Sequence, residues 1–145
     1  MVDREDILAT LAAMLGQEDT CYFCRDYILH DDPSEFRKFQ LSEEDRVTIR
    51  AFRSTMGLWA YHVIEFVKFD RETVGYALSC FDRFLQTEYA REALSDRAVF
   101  QLAFVTCLYT AIKTQEPTSM SPELFSKICH GSYSVEDFER MEGMI

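Results

Sequence analysis

The sequence predicts an all-α domain: a bundle of five helices around a central apolar helix, preceded by a short helical N-terminal arm. Three observations carry this expectation. Glycine and proline together supply only eight of 145 residues, less than half of the ordinary share of about 12%, so few positions break a helix. The longest stretch without a charged residue, Ala98 to Ile112, suits a helix buried on nearly all sides. Elsewhere apolar residues recur every three or four positions, which is the helical repeat. With 48% hydrophobic and 14% aromatic residues, the chain has the apolar surface that a disordered chain lacks.

The elements follow in order. Ile7, Leu8, Leu11 and Leu15 place a helix over Asp3 to Leu15, with Gly16 as its stop. Thr20 is a candidate N-cap for a second short helix reaching Leu29, with Tyr22, Phe23, Tyr27 and Ile28 on one face. The turn cluster His30-Asp31-Asp32-Pro33-Ser34 then separates an arm, residues 1–33, from a main domain, residues 34–145.

Five helices are expected in the main domain. Ser42 and Asp45 have the spacing of a capping box and open a long helix striped by Phe52, Met56, Trp59, Val63 and Phe66. Gly57 lies inside it at a cost of about 1 kcal/mol relative to Ala, which suggests close packing of another helix there. Asp70 is placed to cap the second helix, which carries Val74, Leu78, Phe81 and Leu85. Ser95 or Asp96 opens the third, apolar helix, and Pro117 lies beyond its end. Ser121-Pro122-Glu123 opens a short fourth, with proline at the favoured first position. Ser134-Val135-Glu136-Asp137 opens the fifth, whose acidic first turn complements the helix dipole. Its stripe is Val135, Phe138, Met141 and Ile145. The chain stops within that stripe, so the last helix is expected to be shortened.

Charge narrows the function. Fifteen basic residues face twenty-five acidic ones, for a net charge of -10. Nucleic-acid binding draws on Lys and Arg at phosphates, so this balance argues against it. The start of the chain lacks the form of a signal peptide, and no stretch approaches the roughly 20 apolar residues of a membrane span. Five cysteines are an odd number at irregular spacing, which argues against a disulfide framework and for a reducing compartment.

Cys21-Tyr22-Phe23-Cys24 contains a C-x-x-C, which can be half of a zinc site or a redox pair. There is no second C-x-x-C, and only Cys129-His130 is left to complete four ligands. Three histidines, no glycine-rich phosphate loop and no G-x-S-x-G leave no catalytic constellation. Three groups of charged residues stand next to apolar stripes. Arg53 and Asp82 neighbour core positions, so they either pair or point to solvent. Lys113, with Gln115 and Glu116, ends the apolar helix, where a cation also suits the dipole. Arg140-Met141-Glu142 lies in the last helix.

Together these pieces form an ordered set: Arg53, Trp59, Asp82-Arg83-Phe84-Leu85, Gln101-Leu102, Ala111-Ile112-Lys113-Thr114-Gln115-Glu116, Tyr133-Ser134 and Arg140-Met141-Glu142. The set resembles the N-terminal cyclin box, the five-helix repeat of the cyclins, over Ser42 to Ile145. Between Asp82 and Lys113 the chain is several residues longer than the family pattern, which implies an extended loop around Tyr89 to Ser95. The second five-helix repeat common in cyclins does not follow.

The resemblance implies a regulatory protein with no catalytic residues, no metal and no cofactor. Its implied partner is a cyclin-dependent protein kinase, which it binds and activates by positioning the kinase C-helix in cell-cycle control, in the nucleus or cytoplasm. A degenerate cyclin-box scaffold that binds proteins without activating a kinase is the alternative. Some general transcription factors share the repeat and touch DNA, which the acidic balance disfavours. Lys113 and Glu142 match the family's lysine and glutamate that hydrogen-bond the kinase, and Glu116 joins them as a kinase-binding candidate. Arg53 and Asp82 match an internal ion pair. Phe81, Phe84, Leu102 and Met141 read as core. The segment Tyr22 to Leu29 resembles the N-terminal helix that also packs on the kinase. A docking patch for kinase substrates or inhibitors falls on Phe52, Thr55, Met56, Trp59 and Gln101. The chain departs from the family there at Thr55 and at His62, which stands where the patch has an acidic residue. Trp59 and Met56 also read as plain core.

Overall fold

The structure is a computed structural model, and it describes residues 3–24 and 41–145. Among these residues there are seven α-helices, one 3-10 turn and no strand. The helices are α1 (Arg4–Glu18), α2 (Glu43–Val67), α3 (Glu72–Phe84), α4 (Arg91–Ser95), α5 (Arg97–Gln115), α6 (Pro122–Ile128) and α7 (Val135–Glu142). The all-α expectation holds.

The start signals operate through side-chain oxygens that satisfy orphan backbone N–H groups. Ser42 and Asp45 form a reciprocal capping box at α2, as do Ser134 and Asp137 at α7. Hydrogen bonds from Ser42 hold the Asp45 carboxyl below the usual carboxylate range, and those from Ser134 do the same for Asp137. The capping contribution of each is therefore present above the unfolded carboxyl pKa and lost as pH falls through the depressed folded value. Asp96 caps α5 by accepting from the Ala98 N–H at 2.8 Å. Ser121 caps α6 ahead of Pro122. At α3 the N-cap position is Arg71, not the expected Asp70, and it makes no side-chain cap bond; Asp70, one residue earlier, accepts from the Glu72 N–H at 2.9 Å.

Helix α5 is the centre. Eleven of its residues are buried, from Phe100 to Ile112, and α3, α4 and α7 pack around it. Its first half meets α3 through aromatic edges. Phe81 stands edge-on to Phe100 at 5.0 Å and to Phe104 at 5.3 Å, the favoured arrangement for ring quadrupoles. Its second half meets α6 and α7. Tyr109, Phe125 and Phe138 form a triangle with centroids 5.3 to 6.0 Å apart. Phe81, Phe84, Leu102 and Met141 are all buried, as expected.

Local expectations change in several places. Gly16 does not stop α1, which runs on to Glu18. Thr20 caps no helix: its hydroxyl donates back to the Gly16 carbonyl, and residues 20–24 form a turn and coil. The rest of the helix expected to Leu29, and the turn cluster at residues 30–34, lie outside the described residues. The segment around Tyr89 to Ser95 is no open loop but a 3-10 turn followed by α4, whose Ala90 and Ala93 are buried. The buried face of α2 is Ile49, Gly57, Ala60, Val63 and Ile64. Phe52, Met56 and Trp59 border it half-buried, and Phe66 is exposed. The expected stripe follows one edge of that face because apolar residues lie on two sides of the helix.

Helix α1 buries no residue, and its apolar stripe stays exposed. Periodicity marks the face a helix would bury, not whether anything covers it. Gly57 is buried, but a Cβ built there meets only Leu78 Cδ2, at an ordinary 3.9 Å. The close approach expected at this glycine is absent. Gly57→Ala should therefore stabilise the domain by about 1 kcal/mol through helix propensity, read as a raised urea midpoint. A lowered midpoint would show that the α2–α3 packing does need the glycine.

Candidate functional site

Helices α3 and α5 leave an open groove of about 550 Å³ between their exposed edges and the end of α1. Tyr76, Ser79, Cys80 and Arg83 of α3 line one wall. Cys107, Thr110, Ala111 and Thr114 of α5 line the other. Met14, Gln17 and Glu18 of α1, with Tyr22, border it. Tyr22 lies under the Arg83 guanidinium, 5.1 Å from ring to cation. Inside the groove the Cys80 thiol lies beside that of Cys107, which brings Cys80 down to about 7. The same contact, together with burial, pushes Cys107 up.

At the end of α5 the polar residues gather. Lys113 and Glu142 form an ion pair across α5 and α7. The Thr110 hydroxyl, one turn back on α5, donates to the same Glu142 oxygen at 3.2 Å. Lys113 also sits over the Tyr109 ring at 5.4 Å, within cation–π range. The structure thus brings together the two residues singled out by resemblance, and it adds Thr110 as a link to the groove. Thr110 was legible as a neighbour because positions i and i+3 share a helix face, but nothing in its type marked it. Both charges remain partly exposed, at 46% and 31%, so they stay available to a partner.

Glu116 does not join them. Its Oε1 accepts from the Asp70 N–H at 2.9 Å and from the buried Thr73 hydroxyl at 2.6 Å. This carboxylate ties the start of α3 to the end of α5. Glu116→Ala should cost about 1–3 kcal/mol of stability by leaving a buried hydroxyl unpaired, measured by urea unfolding. An unchanged midpoint would remove the tie.

Arg53 and Asp82 form the internal pair. Arg53 Nε donates to Oδ1 at 2.7 Å and Nη2 to Oδ2 at 2.6 Å. This fork geometry gives charge-assisted bonds that are both strong and directional. The side chains are 22% and 14% exposed, so little water screens them. The pair locks α2 to α3, and the solvent-facing alternative is excluded. Asp82→Ala should destabilise the fold by about 3 kcal/mol, since it strands a desolvated guanidinium. Thermal unfolding checks this, and an unchanged Tm would show the pair to be dispensable.

The patch residues lie on α2 and α5. Phe52 is half-buried, 6.1 Å from Phe100, and the Arg97 guanidinium covers its ring at 4.4 Å. Met56, Trp59 and Gln101 are half-buried, while Thr55 is exposed and donates to the Ala51 carbonyl. Trp59 and Met56 therefore edge the core without being enclosed by it. Cys21 and Cys24 are exposed, and the Gln86 amide donates to the Cys24 sulfur at 2.9 Å. Cys129 is buried, which pushes its thiol up to about 11. Among the described residues no three His, Cys, Asp or Glu side chains converge on a metal-sized site. The zinc reading therefore has no ligand set there. No helix among them is long and apolar enough to cross a membrane.

Helices packed around a buried central one, an Arg–Asp lock and a Lys–Glu pair beside an open groove define an all-α helical bundle. The family model described as the cyclin N-terminal domain matches residues 24–145, and the chain belongs to that family. The match reaches back before residue 34, into the segment assigned to the arm. No curated protein and no solved structure matches the chain.

Proposed function

We propose that the protein is a regulatory subunit that binds and activates a cyclin-dependent protein kinase in cell-cycle control, acting in the nucleus or cytoplasm. The observation that carries this reading is the Lys113–Glu142 pair, joined through Thr110 to the groove of α3 and α5. The groove is open along two rigid helices, which suits a helix of the partner lying across it. A kinase is active when its β3 lysine pairs with the glutamate of its C-helix. A surface that binds the inward position of that helix better than the outward one shifts the population towards activity. Reversing a 1:99 equilibrium to 99:1 takes about 5.5 kcal/mol of differential binding.

Lys113 and Glu142 suit this task in complementary ways. The ammonium offers N–H donors to partner carbonyls, and the carboxylate accepts partner N–H groups. Their mutual pairing holds both in place before the partner arrives, which lowers the ordering cost of association. The Phe52, Thr55, Met56, Trp59 and Gln101 surface is proposed as a second contact for substrates or inhibitors of the kinase.

The test is a pull-down against a panel of cyclin-dependent kinases, with kinase activity measured on the captured complexes. Replacing Lys113 and Glu142 together with Ala should weaken binding by about 2–5 kcal/mol while the domain stays folded by circular dichroism. Unchanged affinity would show that these residues do not hold the partner. Binding without a rise in kinase activity would favour the scaffold reading.

A further inference from the structure

A second groove, of about 570 Å³, lies between α2 and the end of α6. Trp59, Val63, Phe66 and Ile128 provide its apolar lining. Phe66 is 81% exposed, the most exposed large apolar side chain among the described residues. The polar lining is His62, Lys127 and His130, all exposed. No carboxylate lines it, although the chain carries ten more acids than bases. Glu65, beside Phe66 in sequence, is engaged by Arg71. His130 and Gly131 both have left-handed backbone, at φ 57 and φ 67, which non-glycine residues seldom adopt. The turn is fastened by the Gly131 N–H donating to the Ser126 carbonyl and the Ser126 hydroxyl donating to the Tyr133 carbonyl. It places an imidazole at the groove that a relaxed helix end would not.

An apolar floor and a rim with a lysine, two imidazoles and no carboxylate together select a ligand. Lysine has three N–H donors and no acceptor, and an imidazole donates in either protonation state. A carboxylate satisfies all three rim groups. An arginine meets only the bare nitrogen of a neutral imidazole as an acceptor and is disfavoured by the like charge of Lys127. We propose that this groove docks an acidic peptide segment of a partner protein, with bulky apolar side chains on Trp59 and Phe66 and carboxylates on Lys127, His62 and His130. The site is independent of the kinase reading: it shares Trp59 and the His62 position with the patch assigned on α2, and nothing with Lys113 and Glu142.

Trp59 is the only tryptophan of the chain, so its emission reports directly from the groove. Two short synthetic peptides serve as probes, each with Leu and Phe at the centre, one flanked by glutamates and the other by arginines. The glutamate peptide should shift Trp59 emission and bind at least about tenfold more tightly than the arginine peptide by calorimetry. Lys127→Glu and Phe66→Ser should each weaken it by about tenfold, with unaltered circular dichroism, since both side chains are exposed. Capture of a kinase should be unaffected by Lys127→Glu, which separates this proposal from the previous one. Equal or tighter binding of the arginine peptide would overturn the proposal. So would failure of the folded chain to bind the glutamate peptide, or its undiminished binding by Lys127→Glu.

Discussion

The structure depends on removing α5 from water. A helix whose middle turns are closed to solvent on every side must be surrounded, and that requirement sets where α3, α4 and α7 lie. Each buried large side chain contributes roughly 1.5–3 kcal/mol of transfer free energy. The seven large ones on this helix, Phe100, Leu102, Phe104, Val105, Leu108, Tyr109 and Ile112, therefore outweigh any single surface contact. The aromatic edges of Phe81 and the Tyr109–Phe125–Phe138 triangle then decide which neighbour lies on which side.

Polar chemistry is pushed to the ends of that helix, because its middle offers no place for charge. Asp96 satisfies its first turn. At its other end Thr110, Lys113 and Glu116 stand within two turns, and each reaches a different element or a shared one. A cation in the last turn also faces the negative end of the helix dipole. The candidate site thus arises where the buried helix meets solvent, and its polar residues serve both the fold and the surface.

Much of this was legible in the sequence. An uncharged run of fifteen residues can only be a central helix in a chain this poor in breakers. The capping residues announced α2, α5, α6 and α7 because each acts on backbone a few positions away. The Arg53–Asp82 pair was visible by resemblance, whereas its burial needed the packing of α2 on α3. What escaped was decided at long range. Glu116 looked like a neighbour of Lys113, but its partners Asp70 and Thr73 lie more than forty residues earlier in the chain. Helix α4 was missed because five residues carry too little periodicity to register. The stripe of α1 was legible as helical, but its exposure was not, because sequence spacing does not say what covers a helix.

Helix α3 forms one wall of the groove, and it is fastened near both ends. Asp82 fixes its last turn to α2, while Thr73 and the preceding Asp70 fix its beginning to Glu116 of α5. A wall anchored in this way resists deflection. When two surfaces must conform to each other, the stiffer keeps its shape and the more compliant one moves. The mechanical work of any association would then be done on whatever enters the groove and not on the bundle, so the fold is built as a fixed template.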